Sequence, residues 1–267
     1  MTDFGTRSIE WAFQQALVET AAAPEPQNRV ITPATAQAAT STTDAEDDLP
    51  SRLAAATSRT LGVPGAGLSL LTDEPLRRLP LGASSPQATL AEQLQFTTGQ
   101  GPCLTAHRIG QPNFSNAQDM QHRWPAFHDL LRARTPFQAV ASLPLRDHGR
   151  PFGALDLYLA DDQALQDLDT FAAVVVASTV AEHLTLAAML HPHTDFPAGS
   201  GSSSPWFQGP AHARMLTWQA IGILTAHHAT TTSDGLDRLR SHALAHDTTT
   251  DALSADLVAG RINPSSL

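Results

Sequence analysis

"FQAVASLPLRDHGRPFGALDLYLA", residues 137–160, decides the fold. Two runs of alternating apolar residues flank Asp147-His148-Gly149, the pattern of an antiparallel hairpin closed by a tight turn. Such a hairpin needs further strands beside it and a cover over its apolar face. Working outward, "AGLSLLT" (66–72) reads as another strand, and "RRLPLGAS" (77–84) pairs with it as a second hairpin. Helical spacing appears at 47–61 (Leu49, Leu53, Ala56, Thr60), around Leu90, Leu94 and Phe96, and at "WPAFHDLLRAR" (124–134), where Pro125 is tolerated in the first turn. "GQGPC" (99–103) forces a turn. A closing helix over 165–188 carries Leu168, Phe171, Ala172, Val175, Thr179 and Leu186 near a 3.6-residue period. The order fits an α+β domain, an antiparallel sheet covered by helices, over residues 46–190.

The chain has 267 residues, 42% of them hydrophobic, with 19 prolines and 16 glycines, which suits two domains joined by unstructured connections. Its cations are sixteen arginines and no lysine. A GxxxxGK[ST] phosphate loop, a Schiff-base lysine and a Ser-Lys dyad are therefore excluded. HExxH, GxSxG and CxxC are absent too. The net charge of −10 leaves no segment basic: residues 191–267 hold six acids and four arginines. One cysteine, Cys103, allows no internal bridge and suits a reducing compartment. The longest apolar stretch, Phe171 to Ala181, is interrupted by Ser178 and Thr179 and is short of a membrane span. The expectation is a soluble, cytoplasmic protein with no membrane partner.

Residues 1–45 are expected to be disordered or flexible, poor in large apolar side chains over 20–45. Before that, Ile9, Trp11, Phe13, Leu17 and Val18 line either a short amphipathic helix or a frayed terminus. "HPHTDFPAGSGSSSPWFQGP" (191–210) has the composition of a linker. Residues 211–262 then read as three helices. The first carries Met215, Leu216, Trp218, Ile221, Ile223 and Leu224 on more than one face. The second is expected to start at a Ser233 N-cap and to bury Leu236, Leu239, Ala243 and Leu244. The third follows Thr250, uses Leu253, Leu257 and Val258, and stops at Gly260. Gly222 inside the first helix costs roughly 1 kcal/mol against alanine. A close approach of another backbone at Ala220 and Gly222 would offset it.

"VPGAGLSLLTD", "TGQGPCLTAHRIGQP" and "RWPAFHDLLRARTPFQAVASLPLRDHGRPFGALDLYL", with the closing helix, resemble a GAF sensor domain of the kind found ahead of ANTAR domains in actinobacterial regulators. Arg214, Ala220, Gly222 and Leu224, then Leu239, Ala243 and a last apolar helix, resemble the all-α ANTAR RNA-binding domain of transcription antiterminators. The second resemblance implies a homodimer that binds paired RNA hairpins, with Arg214, Ala220, Gly222, Arg238 and Arg240 as its RNA-binding residues. Ile221 stands where that family usually has lysine, and Gly235 and Ser254 where it has alanine. RNA affinity rests on cation–phosphate contacts, so binding is expected to be weak or sensitive to pH and salt. Residues two apart on a helix diverge, which separates Arg238 from Arg240.

Cys103 reads either as a redox or nucleophilic thiol or as a small buried residue, the second being commoner. Asp161 and Asp162 complement a helix N-terminus. His183, His191 and His193 lack a carboxylate or cysteine to complete a metal set. No catalytic constellation is visible, so no enzyme is expected and no cofactor is named. For an unidentified small-molecule ligand of the sensor domain, the expected wall is Cys103, Phe114, Trp124 and Phe127. The reading is a signal-responsive regulator that binds structured RNA. The alternative is a sensor whose C-terminal unit serves dimerisation or protein interaction without RNA.

Overall fold

The 137–160 hairpin forms β4 (Ala139–Asp147) and β5 (Arg150–Leu159). Asp147 pairs with Arg150, and the two loop residues take positive φ, 45° at His148 and 82° at Gly149. A two-residue hairpin loop twists correctly only in that conformation, which glycine adopts without a Cβ clash. The computed structural model describes residues 2–22, 49–72, 77–190 and 210–267. The other elements are α1 (Thr2–Ala22), α2 (Leu49–Leu61), β1 (Gly65–Thr72), β2 (Arg77–Ala83), α3 (Pro86–Thr98), α4 (Pro102–Ile109), β3 (Asn113–Ser115), α5 (Ala117–Arg123), α6 (Pro125–Arg134), α7 (Asp162–Gln166), α8 (Thr170–Leu190), α9 (Pro210–His228), α10 (Thr232–Ala245) and α11 (Thr250–Val258). The sheet runs β2-β1-β5-β4-β3 with antiparallel neighbours.

Period-two alternation sorts the strands onto two faces. Leu68, Ala141, Leu143, Leu155 and Leu157 face α2 and α8, meeting Leu53, Ala56, Val176 and Val180. On the other face Leu94, Met120, Phe127 and Leu131 pack on Phe137, Val140 and Tyr158. Residues 2–22 are not disordered, as the 1–45 reading has it: α1 places Phe13, Ala16 and Leu17 in the first core. Of the residues expected to line this helix, Ile9, Phe13 and Leu17 pack on the core, whereas Trp11 and Val18 face solvent. Most of the segment read as disordered, and the 191–210 linker except Pro210, lie outside the described residues. α8 is apolar and long enough to cross a membrane by composition, yet its inward face, Ala173, Val176, Ala177 and Val180, belongs to the core.

α4, β3 and α5 were not anticipated, being too short for periodicity to register. α5 is instead fixed by a capping box between Asn116 and Asp119.

The last three helices share a core of Ala220, Ile221, Leu224, Leu239, Ala243, Leu253 and Leu257. α10 begins two residues earlier than expected: Thr231, not Ser233, is its N-cap, in a capping box with Asp234. Leu244 is 42% exposed rather than in the core. The explanation offered for Gly222 also fails within this chain, because a Cβ there would meet nothing within 4 Å. The close approach falls at Gly235, whose Cβ would lie 3.3 Å from the Ile221 carbonyl oxygen and 3.2 Å from Thr225 Oγ1.

Candidate functional site

On the second face of the sheet, the same alternation brings a band of polar side chains inward. Ser142 stands opposite Asp156, Asp156 opposite Gly67, and Arg78 opposite Leu71. α3 lowers Glu92 and Gln95 onto this band. Gly67 makes room for it, since a Cβ there would come within 2.4 Å of Glu92 Oε1.

The result is a buried hydrogen-bonded network. Arg78 donates from Nη1 to the Glu92 carbonyl at 2.6 Å and from Nη2 to Glu92 Oε2 and, at 3.4 Å, to Asp156 Oδ2. Glu92 also accepts from Ser69 and from Tyr158, both at 2.6 Å. Asp156 accepts from Ser142 and, at 2.7 Å, from Gln95 Nε2. Gln95 Oε1 in turn takes the backbone N–H of Cys103. Arg78 and these partners are almost wholly buried. Arg78 Nε has no hydrogen-bond partner among the described residues.

One guanidinium faces two carboxyl groups, so the carboxyls separate. Burial opposes the Glu92 charge, but Arg78 and the Ser69 and Tyr158 hydroxyls outweigh it and hold Glu92 below its ordinary range. Burial, and then the charge of Glu92, pushes Asp156 up to about 8. Near neutrality the face therefore carries one cation, one anion and a protonated aspartate. Burial also pushes the Cys103 thiol well up, which leaves no thiolate for nucleophilic or redox work.

The C-terminal helices dock on the edge of this network through Arg214. Its Nε and Nη2 reach the two carboxylate oxygens of Asp251 at 2.8 and 3.0 Å, and its Nη1 donates to the Arg78 carbonyl at 3.2 Å. The guanidinium carbon lies 3.2 Å from the centroid of the Phe96 ring. Thr250 N–H and Arg240 Nε continue the seam, donating to Thr97 Oγ1 at 3.0 Å and to the Phe96 carbonyl at 3.1 Å.

These positions correct the expected sites. Arg214 and Ala220 are fully buried, one in an ion pair and one in the helical core, so neither can touch RNA in this arrangement. Gly222 is exposed. Arg238 and Arg240 do diverge: Arg238 reaches solvent and the Leu267 carbonyl, Arg240 the seam. The expected ligand wall is not one surface. Trp124 and Phe127 sit in the second-face core, Cys103 packs with Leu71 and Ala154, and Phe114 is 38% exposed. Asp161 caps α7 by accepting the Ala164 N–H, while Asp162 accepts that of Ala117. His183 lies between α8 and α1, 2.8 Å from the Thr179 carbonyl and 3.3 Å from Gln14; His191 and His193 lie outside the described residues.

The profile of the GAF domain matches residues 43–185. The chain belongs to the GAF domain family, and with it comes a signal-sensing, regulatory role. Among solved structures it is similar to the GAF domain of a phosphoenolpyruvate-protein phosphotransferase from Coxiella burnetii, at 11% identity over 70% of this chain and 98% of that one, TM-score 0.46. It is also similar to the free methionine-R-sulfoxide reductase of Neisseria meningitidis, solved with its substrate, at 14% identity over 70% and 93%, TM-score 0.42. The nlh2 GAF domain of A. aeolicus, solved in an inactive state, matches at 12% identity over 68% and 98%, TM-score 0.38. No curated protein matches the chain.

Proposed function

We propose that the chain is a cytoplasmic, non-enzymatic regulator in which the GAF domain, answering a small-molecule signal, controls the docking of a C-terminal ANTAR-like output unit. On this reading the freed unit pairs with a second copy and binds structured, paired-hairpin RNA to control transcription antitermination. The supporting observation is the seam: one buried side chain, Arg214, joins the unit's own Asp251 to the ring of Phe96 and the backbone of Arg78. Any signal that shifts Arg78 or α3 therefore reaches the output unit directly. Docking also accounts for a silent state, because Arg240 is held by the GAF domain.

A second reading, protein interaction without RNA, is favoured by the partner of Arg214. Asp251 belongs to the same unit, so undocking would not release Arg214 to a phosphate.

A gel shift separates the two. Phe96→Ala removes the ring under Arg214 from the GAF side and is expected to loosen the seam. The RNA reading predicts that this full-length variant shifts paired-hairpin RNA at lower concentration than wild type, with an affinity that falls as salt rises. No shift by either protein at low salt and mildly acid pH would leave the protein-interaction reading.

A further inference from the structure

A cleft of about 530 Å³ opens between α3 and α4 of the GAF domain and α9 and α10 of the C-terminal unit. That volume is in the range of sites for small organic ligands, about 300–1,000 Å³. We propose that it is the binding site for a small organic acid with a flat apolar body and a carboxylate, gripped by both units at once. The proposal deepens the reading of the chain as a sensor with a docked output unit, and rests on it for the consequence of binding.

The apolar body has a wall to lie on. Phe96 and Trp218 meet edge to face, 6.4 Å between centroids and 77° between planes, and Leu236 and Ile221 border them. Gly222 forms part of the lining, and its missing side chain leaves open space. This gives the internal glycine of α9 a role: it keeps the cleft empty where any larger residue would fill it.

The charge of the cleft points to an anion. In a chain of net charge −10, its lining includes two arginines and no acid. Arg240 spends Nε on the Phe96 carbonyl, and its Nη1 lies 3.8 Å from Asp237, an ion pair without a hydrogen bond that leaves the guanidinium able to take a second acceptor. Thr232 and Ser233 bring the first turn of α10, where N–H groups have no acceptor within the helix. Thr231 satisfies the Asp234 N–H and leaves those of the two residues before it. Arg78 also lines the cleft, but its Nη1 and Nη2 are taken by Glu92 and Asp156 and its Nε is shut off from solvent, so the cation left to meet a ligand is Arg240.

A molecule that touches both units binds only the docked state and so stabilises it. The signal would then hold the output unit down, and its loss would release it.

Calorimetric titration of the full-length protein with benzoate, 1-naphthoate and indole-3-carboxylate, each beside its neutral amide, tests the site. At least one acid is expected to bind, with its amide and the Arg240→Gln variant each weaker by about tenfold or more. Gly222→Leu fills the open space without touching the packed core, so it should keep its helicity and melt no lower than wild type while losing the ligand. Absence of binding by all three acids at millimolar concentration, equal binding of acid and amide, or undiminished binding by Gly222→Leu would each overturn the proposal. RNA binding is not read in this experiment, so the site and the antitermination reading can fail separately.

Discussion

Arg214 and Asp251 are both out of water, and each is tolerable only because the other is there. Removing one partner of such a pair leaves an unpaired buried charge, at a cost of about 3–5 kcal/mol. Arg214→Met should therefore lower the unfolding free energy of the C-terminal unit by an amount of that order, read as a fall in its urea midpoint. Arg214→Lys should not rescue it, because an ammonium cannot span both carboxylate oxygens and stack on Phe96. A midpoint within experimental error of wild type would mean that the pair is solvated. Asp156 makes a second prediction, in pH. Its folded value of about 8 lies above the ordinary 3.8, so between those values the folded state holds a proton that the unfolded state has lost. Stability from this group is full below about 3.8 and is lost as pH rises towards 8. Glu92, held below its ordinary 4.5, acts in the opposite sense and loses its contribution as pH falls. Thermal melts across this range should show Asp156→Asn flattening the decline seen in wild type. Parallel profiles would place the titration elsewhere. Neither residue's part was legible beforehand, because partners 37 positions apart for Arg214, and three elements converging on Asp156, exist only once the fold has formed.

At the scale of elements, the glycines of the helical unit divide. Gly222 has open space and a helical backbone, so Gly222→Ala should raise the melting temperature, worth roughly 1 kcal/mol from helix propensity. Gly235 faces Ile221 and Thr225 at contact distance, and Gly235→Ala should lower it through the displacement of α9 from α10. Equal effects at the two positions would contradict the packing described. The hairpins, the helices over 49–61, 125–134 and 170–190 and the three C-terminal helices were legible, since alternation and 3.6-residue spacing are strong over such lengths. α4, β3 and α5 were not, because ten residues or fewer, held by caps and tertiary contacts, leave no period to count. α1 was legible in part: Ile9, Phe13 and Leu17 do pack inward, but Ala16 joins them while Trp11 and Val18 face solvent, so hydrophobicity alone does not delimit the buried face.

For the whole molecule, the sequence separated two patterned regions but contained nothing about how they meet. The seam is built from groups that look generic in isolation: Thr97, Thr250, the carbonyls of Arg78 and Phe96, and a phenyl ring. Backbone acceptors carry no sequence signal, so the docking surface and the cleft beside it could not be inferred from residue types. The docking of the C-terminal helices on the GAF domain has one direct reporter. Thr250 is the first residue of α11, and its N–H has no acceptor within the helix; it donates instead to Thr97 Oγ1 across the seam. Amide hydrogen exchange at Thr250, followed by NMR in the full-length protein, should be slowed to the level of Leu253 and Leu257 in the same helix. Exchange of Thr250 at the unprotected rate, with Leu253 and Leu257 still protected, would mean that the three helices fold but do not dock.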